Sequence, residues 1–249
     1  MSRAPVVLAY HAIGTAPRGA ALYNTFISRA AFERQVRFLE RRHGIVSLQT
    51  ALGGGGGVAI TFDDAYRSVL EQAVPVLRER KLPATVFVPT KWIGSRNSWD
   101  PPNDLPLDIM GREEIAELAA LGFEIGSHGH AHADLSVAAP DEAREDVETS
   151  VQILEQIVGT RPRYLAYPYG RGSAEADDAA RAIGIEATFS LEHPATESQL
   201  ERIPVYPLDR GPLFASKASG RYLAWRRSRA VARAYELVRP FLRRRRLWP

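Results

Sequence analysis

Short apolar runs alternate with helical patterns along this chain, and that alternation constrains its fold more than any other feature. The runs are Val6–Ala12, Val58–Phe62, Ala84–Pro89, Phe123–Ser127, Tyr164–Tyr167 and Ile185–Ser190. Helical periodicity fills Ala30–Arg42, Tyr66–Arg80, Arg112–Ala120, Asp141–Val158 and Ala174–Ile183. In the second of these, Val69, Ala73, Val76 and Leu77 share one face, while Pro75 predicts a kink or an early end. Strands and helices that alternate over short connections build a parallel sheet with its helices outside. A closed barrel and an open doubly wound sheet both satisfy the pattern. At 249 residues and 45% hydrophobic content, one catalytic domain is expected rather than two.

Two segments interrupt the alternation. Gly53 to Gly57 is a run of glycines with no Gly-Lys-Ser/Thr after it, so it reads as a flexible loop rather than a phosphate cradle. Gly94 to Gly111, rich in Trp, Asp and Pro, is long enough to be a functional loop over a barrel mouth.

The polar residues with chemistry to offer sit where apolar runs end. Val58–Phe62 leads into Asp63 and Asp64, Phe123–Ser127 into His128, His130 and His132, and Tyr164–Tyr167 into Pro168-Tyr169-Gly170. Parallel α/β folds bind ligands outside the carboxyl ends of their strands, so these three ends point to one shared site. Neighbouring aspartates on a strand face opposite ways, but where a strand turns into a loop both can reach one centre. One then ligates a metal and the other takes a proton from the attacking water. The plainer reading makes one of them the cap of a helix starting near Ala65.

The histidines favour the site. Six serve the whole chain, and three of them fall within residues 128–132. With one aspartate, His128 and His132 make a two-His, one-carboxylate set with open positions, which holds zinc in hydrolases and Fe(II) in oxygenases. His130 is the spare. The chain has no cysteine, which excludes disulfides, zinc fingers and thiol catalysis and leaves any metal to His and carboxylates.

Thr61-Phe62-Asp63-Asp64, then His128-x-x-x-His132-x-x-Leu135, then Tyr167-Pro168-Tyr169-Gly170 resemble, in order and spacing, three motifs of the polysaccharide deacetylase family. This is the NodB-homology group, also called family 4 carbohydrate esterases, and the resemblance spans roughly residues 5–210. It implies a distorted (β/α)7 barrel, TIM-barrel-like, that removes N-acetyl groups from amino sugars in a polysaccharide, oligosaccharide or lipid-linked glycan. It also implies a divalent metal, zinc first, with cobalt, nickel or iron(II) as alternatives. By the same resemblance Asp63 is the general base, Asp64, His128 and His132 are the metal ligands, and the backbone N–H of Tyr169 is an oxyanion donor.

The chain also departs from that pattern. Gly129 stands where the family commonly has Ser or Thr, and Ala65 where it usually has Gly. Ala166 stands where the family often has an arginine that orients the base, so the support of Asp63 is unassigned. No Leu-x-x-His motif supplies a general acid near the C-terminal end. A subset of the family, exopolysaccharide deacetylases among them, takes that histidine from an N-terminal Tyr-His segment, which matches Tyr10-His11. His11 is therefore the expected acid, with His193 in reserve.

From Arg221 onward ten arginines face one acid, Glu236, so residues 221–249 carry +9 and residues 1–220 about −6 of the net +3. The division expected is a catalytic domain over 1–220 and a basic amphipathic helical tail over 221–249. The tail either docks on the barrel or attaches to an anionic membrane surface. Nothing in it matches a nucleic-acid-binding module, so no nucleic-acid partner is expected. The N-terminus lacks the long apolar stretch of a signal peptide, which points to the cytoplasm, with the tail allowing a peripheral place at the membrane's inner face. Two other readings compete with sugar deacetylation: an amidase or cyclic-imide hydrolase built on the same machinery, and a carbohydrate-binding barrel that has lost catalysis.

Overall fold

The computed structural model describes residues 5–16, 26–99, 107–191 and 194–228. His193 and most of the basic tail lie outside them. All six apolar runs form strands: β1 Val6–Tyr10, β2 Val58–Phe62, β3 Thr85–Val88, β4 Glu124–Ser127, β5 Tyr164–Ala166 and β6 Ala187–Ser190. Two further short strands follow, β7 Leu200–Glu201 and β8 Ile203–Pro204. Every pairing is parallel, in the order β7-β6-β5-β4-β3-β2-β1-β8.

Only Arg202 separates β7 from β8. The first half of this broken strand pairs with β6 (Phe189 with Leu200) and the second with β1 (Leu8 with Ile203). It therefore bridges the two edges and curls the sheet into a nearly closed barrel. This decides between the two architectures that periodicity left open. Two residues per half, one of them a proline, give no alternation to read in sequence.

Helices cover the outside: α1 Arg29–Arg42, α2 Leu48–Leu52, α3 Val74–Glu79, α4 Arg112–Ala120, α5 Pro140–Val158, α6 Ala174–Ala182, α7 Gly211–Ala218 and α8 Arg221–Arg226. The helix expected over Tyr66–Arg80 is present over residues 67–79, with a π segment inside it. Val69–Ala73 is a π turn, and α3 begins after it with Pro75 in its first turn. Proline lacks the N–H that would continue the ladder, and the wider π turn before it absorbs the loss while Ala73 and Val74 keep helical dihedrals.

Strand alternation divides the core. Val7, Ala59, Phe87, Tyr164, Ala166, Ala187 and Phe189 pack inside the barrel, with Leu48 and Ala51 of α2 packed into the same cluster. Leu8, Tyr10, Ile60, Phe62 and Val86 face outward against the helical layer, burying Phe32, Val36 and Leu39 of α1. A second outer cluster joins Leu165 and Tyr167 to Val147 and Val151 of α5 and Ala176 and Ala180 of α6. The first residues of the basic tail pack on the barrel's flank. Arg226 and Arg227 both pair with buried Glu201, and Arg226 also donates to the Leu191 carbonyl at 3.0 Å. Among the described residues no helix is long and apolar enough to cross a membrane.

Candidate active site

Among the described residues, four of the five non-glycine residues with positive φ lie at the predicted site: Asp64 (67°), Ala65 (49°), His132 (57°) and Tyr169 (56°). The left-handed region costs an L-residue about 1–2 kcal/mol, and such strain gathers where function requires a geometry that repeating structure cannot give. The Asp64–Ala65 turn shows how. Asp63 continues the inward parity of Ala59 and Thr61, and its N–H still bonds the Tyr10 carbonyl at 2.9 Å. The reversal at Asp64 then swings the next carboxylate to the same side. The helix begins at Arg67, so neither aspartate holds its cap position, and Ala65 occupies a conformation that glycine would adopt without penalty.

Asp64, His128 and His132 are buried, and one ligand atom from each lies within 4.8 Å of the others. Nε2 of His128 is 3.4 Å and Nε2 of His132 is 3.2 Å from the same oxygen, Asp64 Oδ1. His128 Nδ1 lies 2.7 Å from the Ala166 carbonyl. A carbonyl only accepts, so Nδ1 carries the proton, and in the neutral ring Nε2 presents a bare lone pair. Burial disfavours a charged imidazole, and for His132 it is the dominant influence, holding that ring below its ordinary value. For His128, burial is outweighed by Asp63 and Asp64, which hold it above. Lone pairs from two imidazoles and a carboxylate converging on one buried point are the donor set of a divalent cation, and the His-to-carbonyl bond is the usual outer support of such a ligand.

Asp63 stands beside this triad and outside it. Arg202 reaches across the barrel interior and grips both its oxygens, Nη1 to Oδ1 at 2.6 Å and Nη2 to Oδ2 at 2.8 Å. The guanidinium also donates to Thr61 Oγ1 at 3.1 Å and lies 5.0 Å over the Phe87 ring. Burial alone would push the Asp63 carboxyl up. The charge of Arg202, then that of His128, outweighs it and holds the group below its ordinary value. Arg202 thus fills the role left open by Ala166. The sequence did hold a signal, a single arginine next to Ile203-Pro204-Val205, but its partner lies 139 positions away.

His11 follows β1 as Asp63 follows β2, and its Nε2 is 3.9 Å from Asp63 Oδ2. The separation exceeds a hydrogen bond. Tyr169 and Trp99 border the triad at His132. The Trp99 ring stacks on His132 at 4.0 Å and 22°, and the Tyr169 ring meets it edge-on at 4.9 Å. Trp92 packs against Trp99 and is one step further out. His130 turns away from the triad to Thr90 Oγ1, at 2.9 Å.

The turn bearing Tyr169 is anchored from below. Tyr167 donates to the buried Asp177 carboxylate, which Thr188, Thr196 and Ser198 also donate to. Gly170, at φ 70°, presses on Leu191; an added Cβ would collide with the Leu191 Cβ and lie 2.8 Å from its backbone nitrogen. Gly170→Ala is therefore expected to cost about 2–4 kcal/mol, overpacking and left-handed strain together. Urea unfolding measures it, and an unchanged midpoint would show that the turn yields freely.

The family model for polysaccharide deacetylases matches residues 53–188, more than half of the chain. YxkH of Bacillus subtilis is 25% identical over 166 residues, covering 67% of this chain and 56% of its own length. The poly-beta-1,6-N-acetyl-D-glucosamine N-deacetylase of Staphylococcus aureus is 27% identical over 189 residues, covering 69% and 63%. The chain thus spans about three fifths of the length of these relatives. The solved structure of IcaB from Ammonifex degensii superposes with a TM-score of 0.72 at 29% identity, covering 86% of this chain and 96% of that one.

Proposed function

Because the chain belongs to the polysaccharide deacetylase family, we propose that it hydrolyses the N-acetyl group of an amino sugar with the aid of a divalent cation, zinc first. The observation that carries this reading is the convergence of Asp64, His128 and His132 beside an Asp63 that Arg202 keeps ionised. Poly-N-acetylglucosamine is the first substrate to try, given the S. aureus relative. The aromatic rims of Trp99 and Tyr169 suit the apolar face of a pyranose better than an open-chain amide.

A cation at the triad would polarise the amide carbonyl and acidify a water at its open position. The remaining steps belong to the protein's own groups. Asp63 takes the proton as the water oxygen bonds to the acetyl carbon, and Arg202 keeps the carboxylate aimed while a lone pair on each oxygen stays open. We assign the Tyr169 N–H to the developing oxyanion, as the strained turn would preorganise a donor there. His11 then protonates the sugar nitrogen, the C–N bond breaks, and acetate and a free amine leave. Acid and base follow adjacent strands and lie 3.9 Å apart, so one substrate amide can rest against both.

The test is acetate release from N-acetylated oligosaccharides, polymers and lipid-linked sugars, comparing chelator-stripped and Zn²⁺-reconstituted protein. Release that needs the metal is the expected result. Stoichiometric metal binding without release from any sugar would shift the reading to a non-sugar amide or imide. Neither release nor binding would leave a carbohydrate-binding barrel without catalysis.

A further inference from the structure

We propose that Asp146, on α5 and outside the three motifs, is the positioning residue that sets the ligand loop His128–His132, and that residue 129 is glycine so that this carboxylate can reach it. The proposal rests on the metal reading of the triad. Asp146 Oδ1 accepts from the His130 N–H at 2.7 Å and Oδ2 from the Ala131 N–H at 2.8 Å, so one carboxylate clamps two successive amides between the two histidine ligands. Bonds of this kind, with an ionised acceptor, are stronger than neutral ones.

The other backbone groups of the three intervening residues are held as well. The Gly129 N–H donates to Ser127 Oγ at 3.1 Å, which in turn contacts Ser150 Oγ at 2.7 Å. The Gly129 and His130 carbonyls accept from the Thr90 and Lys91 amides at 3.2 and 2.9 Å. The Ala131 carbonyl accepts from Trp92 Nε1 at 3.0 Å. Of these supports Asp146 alone is charged, and it alone holds two groups.

Gly129 completes the arrangement. It sits at φ 72°, and a Cβ there would lie 2.6 Å from Asp146 Oδ1. Any side chain at 129 would evict the carboxylate. A hydroxyl at that position and a carboxylate from α5 are thus alternative ways to brace one loop, and this chain uses the second. Bracing matters because His132 is itself held at φ 57°, a conformation a slack loop would abandon.

The experiment uses the full chain, stripped of metal, in five forms: parent, Asp146→Ala, Asp146→Asn, and Gly129→Ala in the parent and Asp146→Ala backgrounds. Zn²⁺ affinity is read by competition with a chromophoric chelator, the ligand field by Co²⁺ absorption, and folding by the melting of the metal-free protein. Asp146→Ala is expected to weaken Zn²⁺ binding about 10–100-fold, the usual effect of losing an outer support, and to alter the Co²⁺ bands. Asp146→Asn, with one acceptor for two amides, falls between, and carries the test if the alanine variant does not fold. Gly129→Ala should weaken binding in the parent and add little once Asp146 is gone, a non-additivity that marks the pair. Affinities within twofold of the parent in both Asp146 variants, with unchanged Co²⁺ bands, would overturn the proposal and leave the active-site reading standing. A parent that binds no metal would overturn both.

Discussion

Asp63→Asn is expected to lower kcat by about 10²–10⁴-fold, the range contributed by a positioned general base, while Zn²⁺ affinity stays close to that of the parent. The split follows from geometry. Asp63 is outside the three-atom cluster that would hold the cation, so its loss does not remove a ligand. What it removes is a carboxylate held ionised beside the triad, 3.9 Å from His11. The amide cannot take a proton, and one of its two atoms now presents N–H to a guanidinium that only donates. Arg202 is left buried with half its partner, so a stability loss of about 3–5 kcal/mol accompanies the kinetic one. Rates should therefore be taken well below the variant's own melting temperature. Metal titration beside single-turnover acetate release separates the two effects, and a variant that binds metal normally yet keeps a tenth or more of the parent rate would remove Asp63 from the role of base.

The same residues show what could be read without coordinates. The six strand runs were legible because strands buried on both faces are nearly continuous in apolar residues, and the polar residues that end them are local in sequence. Asp63, Asp64, His128 and His132 each follow directly from such a run, and His11 follows from the first. What escaped was non-local or short. Arg202 has meaning only through a carboxylate 139 positions earlier, and β7 and β8 are too brief to show a period. Helices α2 and α7 were missed for the same reason, at five and eight residues. Asp146 was hidden differently: inside a well-formed helical pattern, an acidic residue reads as part of a solvated face. The positive-φ turns at Asp64 and Tyr169 were also invisible, since neither is glycine and no composition signal marks them.

Arg202→Leu is the sharper test of how the base is kept ionised, because it should reverse a sign. In the parent, the Asp63 carboxyl is held below its ordinary value in spite of burial. A carboxyl lower in the folded than in the unfolded state contributes stability above the unfolded value of about 3.9, and that contribution is lost as pH falls through the folded one. Without the guanidinium, burial becomes the dominant influence and drives the carboxyl up. Stability is then lost as pH rises from the unfolded value towards the raised folded one, and it stays lost at neutral pH. The melting gap between parent and variant, both metal-free, should thus widen from about pH 4 to pH 7 and reach about 3–5 kcal/mol, the cost of an unpaired buried charge. In the reconstituted enzyme the acid limb of kcat/KM should move to higher pH, since more base is needed to ionise Asp63. Arg202→Lys keeps the charge but loses the two-pronged grip, so its acid limb should lie between the two. A constant melting gap across that range, with an acid limb that does not move, would mean that Arg202 only fills the barrel and that something else holds Asp63 ionised.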